Sequence, residues 1–189
     1  MRIIGGFLGG RTLAPVQGRM RPTAAKVREA IFNILGDAVA EARVLDLFAG
    51  TGALGIEALS RGSKEAVFVE EDPAALKVLR RNLKNLDLVE KSQVLPVTVA
   101  AALKKLAVRG EGFGLVFLDP PYGKGTGEAT LKALAASRLL MPRARVVAEH
   151  SRRESLPEGL GPLRRTDLRR YGDTQVAFYL APDHPDIQE

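Results

Sequence analysis

The chain has 189 residues, with 28 Lys and Arg against 22 Asp and Glu, a net charge of +6 and a pI near 9.8. That length suits one ordinary domain with a small appendage. The absence of cysteine excludes a disulfide framework, a thiolate zinc centre and a cysteine nucleophile. With His150 and His184 the only histidines, neither a metal site nor His-dependent catalysis is expected. An apolar content of 46% argues against disorder. No apolar run approaches the roughly 18 residues of a membrane span, and the opening Met1-Arg2-Ile3-Ile4-Gly5-Gly6 has no signal core. The expectation is a cytoplasmic globular protein, away from membranes. Its basic excess points to an acidic partner, nucleic acid first.

Residues 2–20 set Gly5, Gly6, Gly9, Gly10 and Gly18 between short apolar pieces, the pattern of a small β-hairpin. Core packing is the expected role of Phe7 there, with stacking on a nucleobase as the alternative. Arg21-Pro22-Thr23 opens a helix whose apolar positions Val27, Ala30, Ile31, Ile34 and Leu35 keep helical spacing up to Gly36. Val44–Phe48 reads as a buried strand, followed by Ala49-Gly50-Thr51-Gly52 and helical spacing at Leu54, Ala58 and Leu59. Ala66–Glu70 is a second strand. Pro73 suits the first turn of the next helix, with Leu76, Leu79, Leu83 and Leu86 on one face. Val94–Val97 is a weaker third strand, followed by a short helix around Ala100–Leu106. Leu115–Asp119 is a fourth strand, followed by a helix near Glu128–Ala136 and a strand at Val146–Glu149. Gly172-Asp173 joins Leu163–Tyr171 to Gln175–Leu180 as a terminal hairpin. Apolar strands alternating with amphipathic helices indicate an α/β protein, with a mostly parallel sheet covered on both faces. Such sheets bind ligands at the carboxyl ends of their strands.

Three strand ends carry candidate chemistry. The first is Asp46-Leu47-Phe48-Ala49-Gly50-Thr51-Gly52-Ala53-Leu54-Gly55, whose glycines allow a tight turn and close approach of backbone to a ligand. The spacing also fits a dinucleotide fingerprint. Asp46, however, would repel a pyrophosphate and favour a cationic amino acid moiety such as that of S-adenosylmethionine. The second strand ends in Glu70, about 20 residues on, where a carboxylate can accept hydrogen bonds from both ribose hydroxyls. Asp72 is expected to cap the next helix. The fourth ends in Asp119-Pro120-Pro121-Tyr122. A stiff Pro-Pro turn offers carbonyls and a carboxylate as acceptors for the hydrogens of an exocyclic amino group, and Tyr122 a ring for stacking. Two acceptors can pyramidalise a delocalised amine and aim its lone pair at a sulfonium methyl, without histidine, cysteine or metal.

These motifs resemble motif I of class I methyltransferases and the Asp-Pro-Pro-Tyr of amino-methyltransferases. Their setting narrows the family. Arg2-Ile3-Ile4-Gly5-Gly6, Gly10-Arg11-Thr12-Leu13, Arg21-Pro22-Thr23 and Val27–Leu35 precede the glycine loop, and Arg170-Tyr171-Gly172-Asp173-Thr174 follows the catalytic turn. Over about residues 2–181 the chain resembles the RsmD family of bacterial 16S ribosomal RNA guanine-N2 methyltransferases. The resemblance implies a Rossmann-like sheet of seven strands plus an N-terminal hairpin, with S-adenosylmethionine as methyl donor. It implies a 30S subunit or assembly intermediate as substrate. Carried over by position, Asp46, Phe48, Ala49, Gly50, Thr51, Gly52, Glu70, Glu71 and Thr98 match the cofactor site, and Asp119, Pro120, Pro121 and Tyr122 the catalytic turn. Thr98 stands where family members often carry an acid or amide near the adenine. The expected RNA contacts are Arg2, Arg11, Arg19, Arg21, Thr23, Lys26, Arg28 and Lys124, with Arg21, Thr23 and Arg28 alternatively lining the pocket.

The expected organisation is a hairpin extension over 1–20, a methyltransferase domain over 21–183, a flexible tail over 184–189, and a monomer. An adenine-N6 methyltransferase, a non-catalytic assembly factor with this fold and a nicotinamide-dependent oxidoreductase are the competing readings.

Overall fold

The computed structural model describes residues 1–16, 24–121 and 125–183. The first long helix, α1 (Ala24–Leu35), precedes four strand–helix units: β1 (Arg43–Leu47) and α2 (Ala53–Ser60); β2 (Glu65–Val69) and α3 (Pro73–Asn85); β3 (Ser92–Leu95) and α4 (Val99–Val108); β4 (Phe113–Leu118) and α5 (Thr126–Ala136). The chain ends in β5 (Leu140–Ser151), β6 (Gly159–Leu160), β7 (Leu163–Tyr171) and β8 (Thr174–Leu180). Sheet order is β3-β2-β1-β4-β5-β8-β7-β6. Strands β1 to β5 pair in parallel and β8 runs antiparallel between β5 and β7. The architecture is that of the expected methyltransferase sheet, with one difference. Eight strands are paired among the described residues rather than seven, because the two-residue β6 adds an edge against β7. No helix among the described residues is long and apolar enough to cross a membrane.

Period-two alternation divides the core into two layers. Val44, Phe68, Leu115, Phe117, Val147, Val176 and Phe178 face α1, α2 and α3, while Leu45, Val67, Val116, Leu118, Val146 and Ala177 face α4 and α5. β5 is 12 residues long, well beyond the expected Val146–Glu149. Its first half alternates weakly because Met141, Pro142 and Arg143 are exposed, and the register with β4 shifts between Phe113 and Leu115.

The N-terminal segment differs most from expectation. Among its described residues the pairing is one antiparallel bridge, Arg2 with Thr12, supported by Ile3 N–H donating to Arg11 O and Gly10 N–H to Ile3 O. It is packed down rather than extended: Ile3, Leu8 and Leu13 are buried in the layer of α1 to α3. Two residues of α2 hold it. The Glu57 carboxylate, wholly buried, accepts from the N–H groups of Ile4 and Gly5 (2.8 Å each). Ser60 accepts from Leu8 N–H through Oγ (3.0 Å) and from Phe7 N–H through its carbonyl (2.9 Å). Gly6 has φ +74°, and a Cβ there would lie 1.8 Å from Ser60 O, so only glycine lets the loop approach α2 this closely.

Glu57 is also the counter-charge of two arginines. Arg61 Nε donates to it at 2.9 Å, and Arg28 Nε lies 3.6 Å away, within ion-pair but not hydrogen-bond distance. Removing a carboxylate that balances buried cations leaves an uncompensated charge, at a cost of about 3–5 kcal/mol. Glu57→Ala is therefore expected to destabilise the protein by about that amount in urea titration, and Glu57→Gln, which keeps one acceptor, by less.

Candidate cofactor and nucleobase site

The carboxyl ends of β2, β1 and β4 lie side by side, and the glycine loop leaves β1 between its two neighbours. Three loop residues have left-handed backbone: Phe48 (φ 63°), Gly50 (φ 56°) and Gly52 (φ 83°). For Phe48, a bulky L-residue, this is stored strain of order 1–3 kcal/mol, held by the surrounding bonds. Ala49 N–H donates to Val69 O (2.9 Å) and Gly52 N–H to Ala49 O (2.7 Å). A Cβ on Gly52 would lie 2.5 Å from Leu79 and one on Gly55 2.3 Å from the Phe68 ring, so packing as well as turning requires these glycines.

Two carboxylates fix the loop. Asp46 projects from β1 into the layer of α1 to α3, where its Oδ2 accepts from Gly55 N–H (2.9 Å) in the first turn of α2. It is buried, and desolvation lifts its pKa from 3.8 to about 7. The Gly55 N–H opposes that rise and the charge of Glu70 adds to it. Glu70, half-buried at the end of β2, accepts Gly50 N–H on Oε2 (2.8 Å), and Glu71 and Asp72 N–H on Oε1 (2.9 and 2.8 Å). A carboxylate has about four acceptor positions. Three are filled here, leaving one on Oε2 for a ribose hydroxyl. Accepting both hydroxyls, as the sequence suggested, requires release of one backbone N–H.

Asp72 caps α3, accepting from Ala74 N–H (2.8 Å) with Pro73 in the first turn, as expected. Glu71 is exposed. Thr98 caps α4, its Oγ1 accepting from Ala101 N–H (3.3 Å), so the hydroxyl hydrogen remains available to a ligand at the end of β3. Thr51 is held from behind by Asn82, a residue the sequence reading missed. Asn82 donates to Thr51 O (3.0 Å) and Ala14 O (3.2 Å) and accepts from Ala14 N–H (2.8 Å), joining α3, the glycine loop and the N-terminal segment. A signal existed: at 100° per residue Asn82 falls on the same face of α3 as Leu79 and Leu83.

Asp119 is half-buried at the end of β4, Pro120 is buried and Pro121 exposed. Pro120 sits against α5, where a Cβ on Gly127 would lie 3.5 Å from its Cγ. Tyr122, Lys124, Arg19, Arg21, Thr23 and the 184–189 tail lie outside the described residues. Arg2, Arg11 and Lys26 are exposed, Arg11 donating to Asn85 O (2.8 Å). Arg28 corrects the sequence reading. It is 3% exposed, and its guanidinium bonds Arg2 O and Met1 Sδ beside Glu57, so it clamps the N-terminus and is no surface contact for RNA. Phe7 corrects it in the opposite sense. The ring is 66% exposed, because the turn pinned at Ser60 directs Leu8 inward instead. His150 is buried, and burial keeps its pKa low. Its Nδ1 lies 3.1 Å from Ser151 O, a structural role as expected.

The family model described as "Conserved hypothetical protein 95" matches residues 1–180. YlbH of Bacillus subtilis (strain 168), described as an rRNA methyltransferase, is 44% identical over 180 residues, covering 95% of this chain and 98% of YlbH. Ribosomal RNA small subunit methyltransferase D of Escherichia coli (strain K12) is 39% identical over 158 residues, covering 83% of this chain and 78% of that enzyme. The chain belongs to the RsmD family. The solved structure of yhhF from Escherichia coli, described as a methyltransferase, superposes with a TM-score of 0.85 at 34% identity, covering 97% of this RsmD-family chain and 99% of yhhF. The glycine loop, Glu70 and the Asp119 turn thus stand on a methyltransferase fold.

The raised pKa of Asp46 has a defined consequence. Protons bind this group more tightly in the folded than in the unfolded chain. Its contribution to stability is therefore complete below pH 3.8 and is lost as pH rises through about 7. Without ligand, stability should fall by about 1 kcal/mol through this group between pH 6 and pH 8. Asp46→Asn keeps an acceptor for Gly55 N–H and should lack that fall in urea titrations at the two pH values.

Proposed function

We propose that this protein transfers a methyl group from S-adenosylmethionine to the exocyclic N2 amino group of one guanine in 16S ribosomal RNA. It acts in the cytoplasm, as a monomer, on the 30S subunit or an assembly intermediate. One observation carries the reading: Asp119-Pro120-Pro121 ends the strand adjacent to the glycine loop, in an RsmD-family chain whose relatives in Escherichia coli and Haemophilus influenzae are named ribosomal RNA small subunit methyltransferase D.

The residues fit this methyl donor. Asp46 and Glu70 put negative charge at the loop, which suits a ligand carrying an ammonium and a sulfonium and disfavours a pyrophosphate. That separates the reading from the nicotinamide alternative. S-adenosylmethionine supplies a methyl group already activated on sulfur. The work left to the protein is positional. Gly50 leaves open space at the loop, and Gly52 and Gly55 let the loop and α2 pack down on Leu79 and Phe68. Glu70 holds a ribose hydroxyl on its remaining acceptor position, and Thr98 meets the adenine side. Asp119 and the carbonyls of the proline turn accept the amino hydrogens of the target base and orient its lone pair, an alignment effect. Tyr122, next in sequence, supplies the stacking ring for a base taken out of its helix. Arg2, Arg11, Lys26 and the exposed Phe7 face the RNA, as do Arg19, Arg21 and Lys124 from the sequence.

Incubation with 30S subunits lacking the modification, followed by mass analysis of nucleosides, tests the assignment. N2-methylguanosine is the expected product. N6-methyladenosine would make this an adenine enzyme, and absence of turnover a non-catalytic assembly factor. Asp119→Ala is expected to lower kcat by about 100-fold or more while cofactor affinity, read by calorimetry, changes only a few-fold.

A further inference from the structure

α3 buries Ala75, Leu76, Leu79, Asn82 and Leu83. Its opposite side carries Lys77, Arg80, Arg81 and Lys84, spaced i, i+3, i+4 and i+7 and all exposed. At 3.6 residues per turn they occupy roughly 100° of the helix circumference. The helix contains no acidic residue. None of the four forms an ion pair with a described residue. Every adjacent pair on this stripe is therefore cation beside cation, which disfavours the helix.

Some cations elsewhere have a carboxylate partner. Lys132 of α5 has Glu128 one turn away (2.6 Å), Arg165 has Glu158 (2.8 Å) and Arg169 has Asp167 (2.7 Å). Exposed Lys104 and Lys105 of α4 form no ion pair with a described residue either, so what sets α3 apart is four cations in one row on one face. The stripe is also continuous with two other features. Arg11 reaches the C-terminal end of α3 at Asn85 O (2.8 Å), and the N-terminal end of α3 is capped beside Glu70, at the rim of the cofactor site. The row thus leads from the N-terminal segment toward the glycine loop, on the sheet face into which Asp46 projects.

We propose that Lys77, Arg80, Arg81 and Lys84, continued by Arg11, form a track that binds the phosphate backbone of the substrate RNA. The proposal rests on the RNA-methyltransferase reading and adds the surface, and hence the side of the sheet, on which the RNA lies. Phosphate contacts position a nucleic acid without reading its sequence, which suits a surface remote from the reacting base. The opposite face offers a control. Lys104 and Lys105 are exposed on α4, which packs in the other core layer.

The test compares wild type with Lys77→Gln, Arg80→Gln, Arg81→Gln and Lys84→Gln, singly and together, and with Lys104→Gln/Lys105→Gln. The probes are naked 16S rRNA and 30S subunits lacking the modification, with Kd measured across a salt series. Each stripe substitution should reduce the log–log salt slope by about 0.7–0.9, and the fourfold variant by roughly three units. The fourfold variant should raise KM for 30S by at least about tenfold with kcat and cofactor affinity unchanged and Tm no lower, while the α4 pair matches wild type. A fourfold variant with the wild-type slope and KM would overturn the proposal. So would an α4 pair that lowers the salt slope by as much as two single stripe substitutions added together, since net charge alone would then be responsible. Loss confined to 30S, with naked rRNA bound normally, would assign the stripe to an acidic protein partner and equally reject it. If wild type itself neither binds nor methylates 30S, the RNA-methyltransferase reading falls first.

Discussion

The hydrogen bond from Gly55 N–H to the buried Asp46 carboxylate sets the position of α2, and much of the molecule hangs from α2. For that bond to form, the helix backbone must come against β1 and the Phe68 ring. A Cβ on Gly55 would lie 2.3 Å from that ring and 3.1 Å from the carboxylate. With α2 placed, its far end presents Glu57 and Ser60 to the N-terminal segment, and its near end shapes the glycine loop. Asn82 closes the remaining side by holding Thr51 and Ala14 together. A substitution in the N-terminal segment can therefore reach the loop through packed elements without touching a ligand.

The same carboxylate explains how an overall basic chain builds an acidic site. The negative charge is internal: Asp46 lies beneath the loop and Glu70 is largely occupied by backbone N–H groups. The positive charge is external, on the exposed residues of α3 and the N-terminal segment. Placing Asp46 near Glu70 in a dry setting raises the energy of the ligand-free ionised state, as its pKa of about 7 records. A cation at the loop relieves that penalty. Neutral Asp46 still accepts Gly55 N–H, so the loop keeps its shape in both protonation states.

The sheet, the glycine loop and the terminal hairpin were legible because they depend on local signals: apolar runs, glycine spacing and a Gly-Asp turn. The acids at the strand ends were legible for the same reason. Arg28 was misread although the information was present. It lies three, four and seven residues before Ile31, Phe32 and Leu35, on the buried face of α1, but a surface cation was the default. Asn82 shows the same blind spot on α3. Phe7 and Leu8 could not be told apart, because a glycine-rich loop has no periodicity and the choice is made by Ser60, more than 50 residues away. The N-terminal segment depends on such long-range partners in Glu57 and Ser60, whereas β6 was missed because two residues are too short for a strand pattern, although its partners in β7 are close in sequence.

In the proposed function, the acidic floor beneath the loop serves a positively charged methyl donor. S-adenosylmethionine and S-adenosylhomocysteine differ at sulfur by one methyl group and one positive charge, so their affinity ratio isolates that claim. Calorimetry of both ligands at pH 6 and pH 8, in wild type and Asp46→Asn, measures it directly. The ratio favouring S-adenosylmethionine should rise with pH in wild type, as Asp46 ionises, and stay flat in the variant. A wild-type ratio independent of pH would contradict that claim.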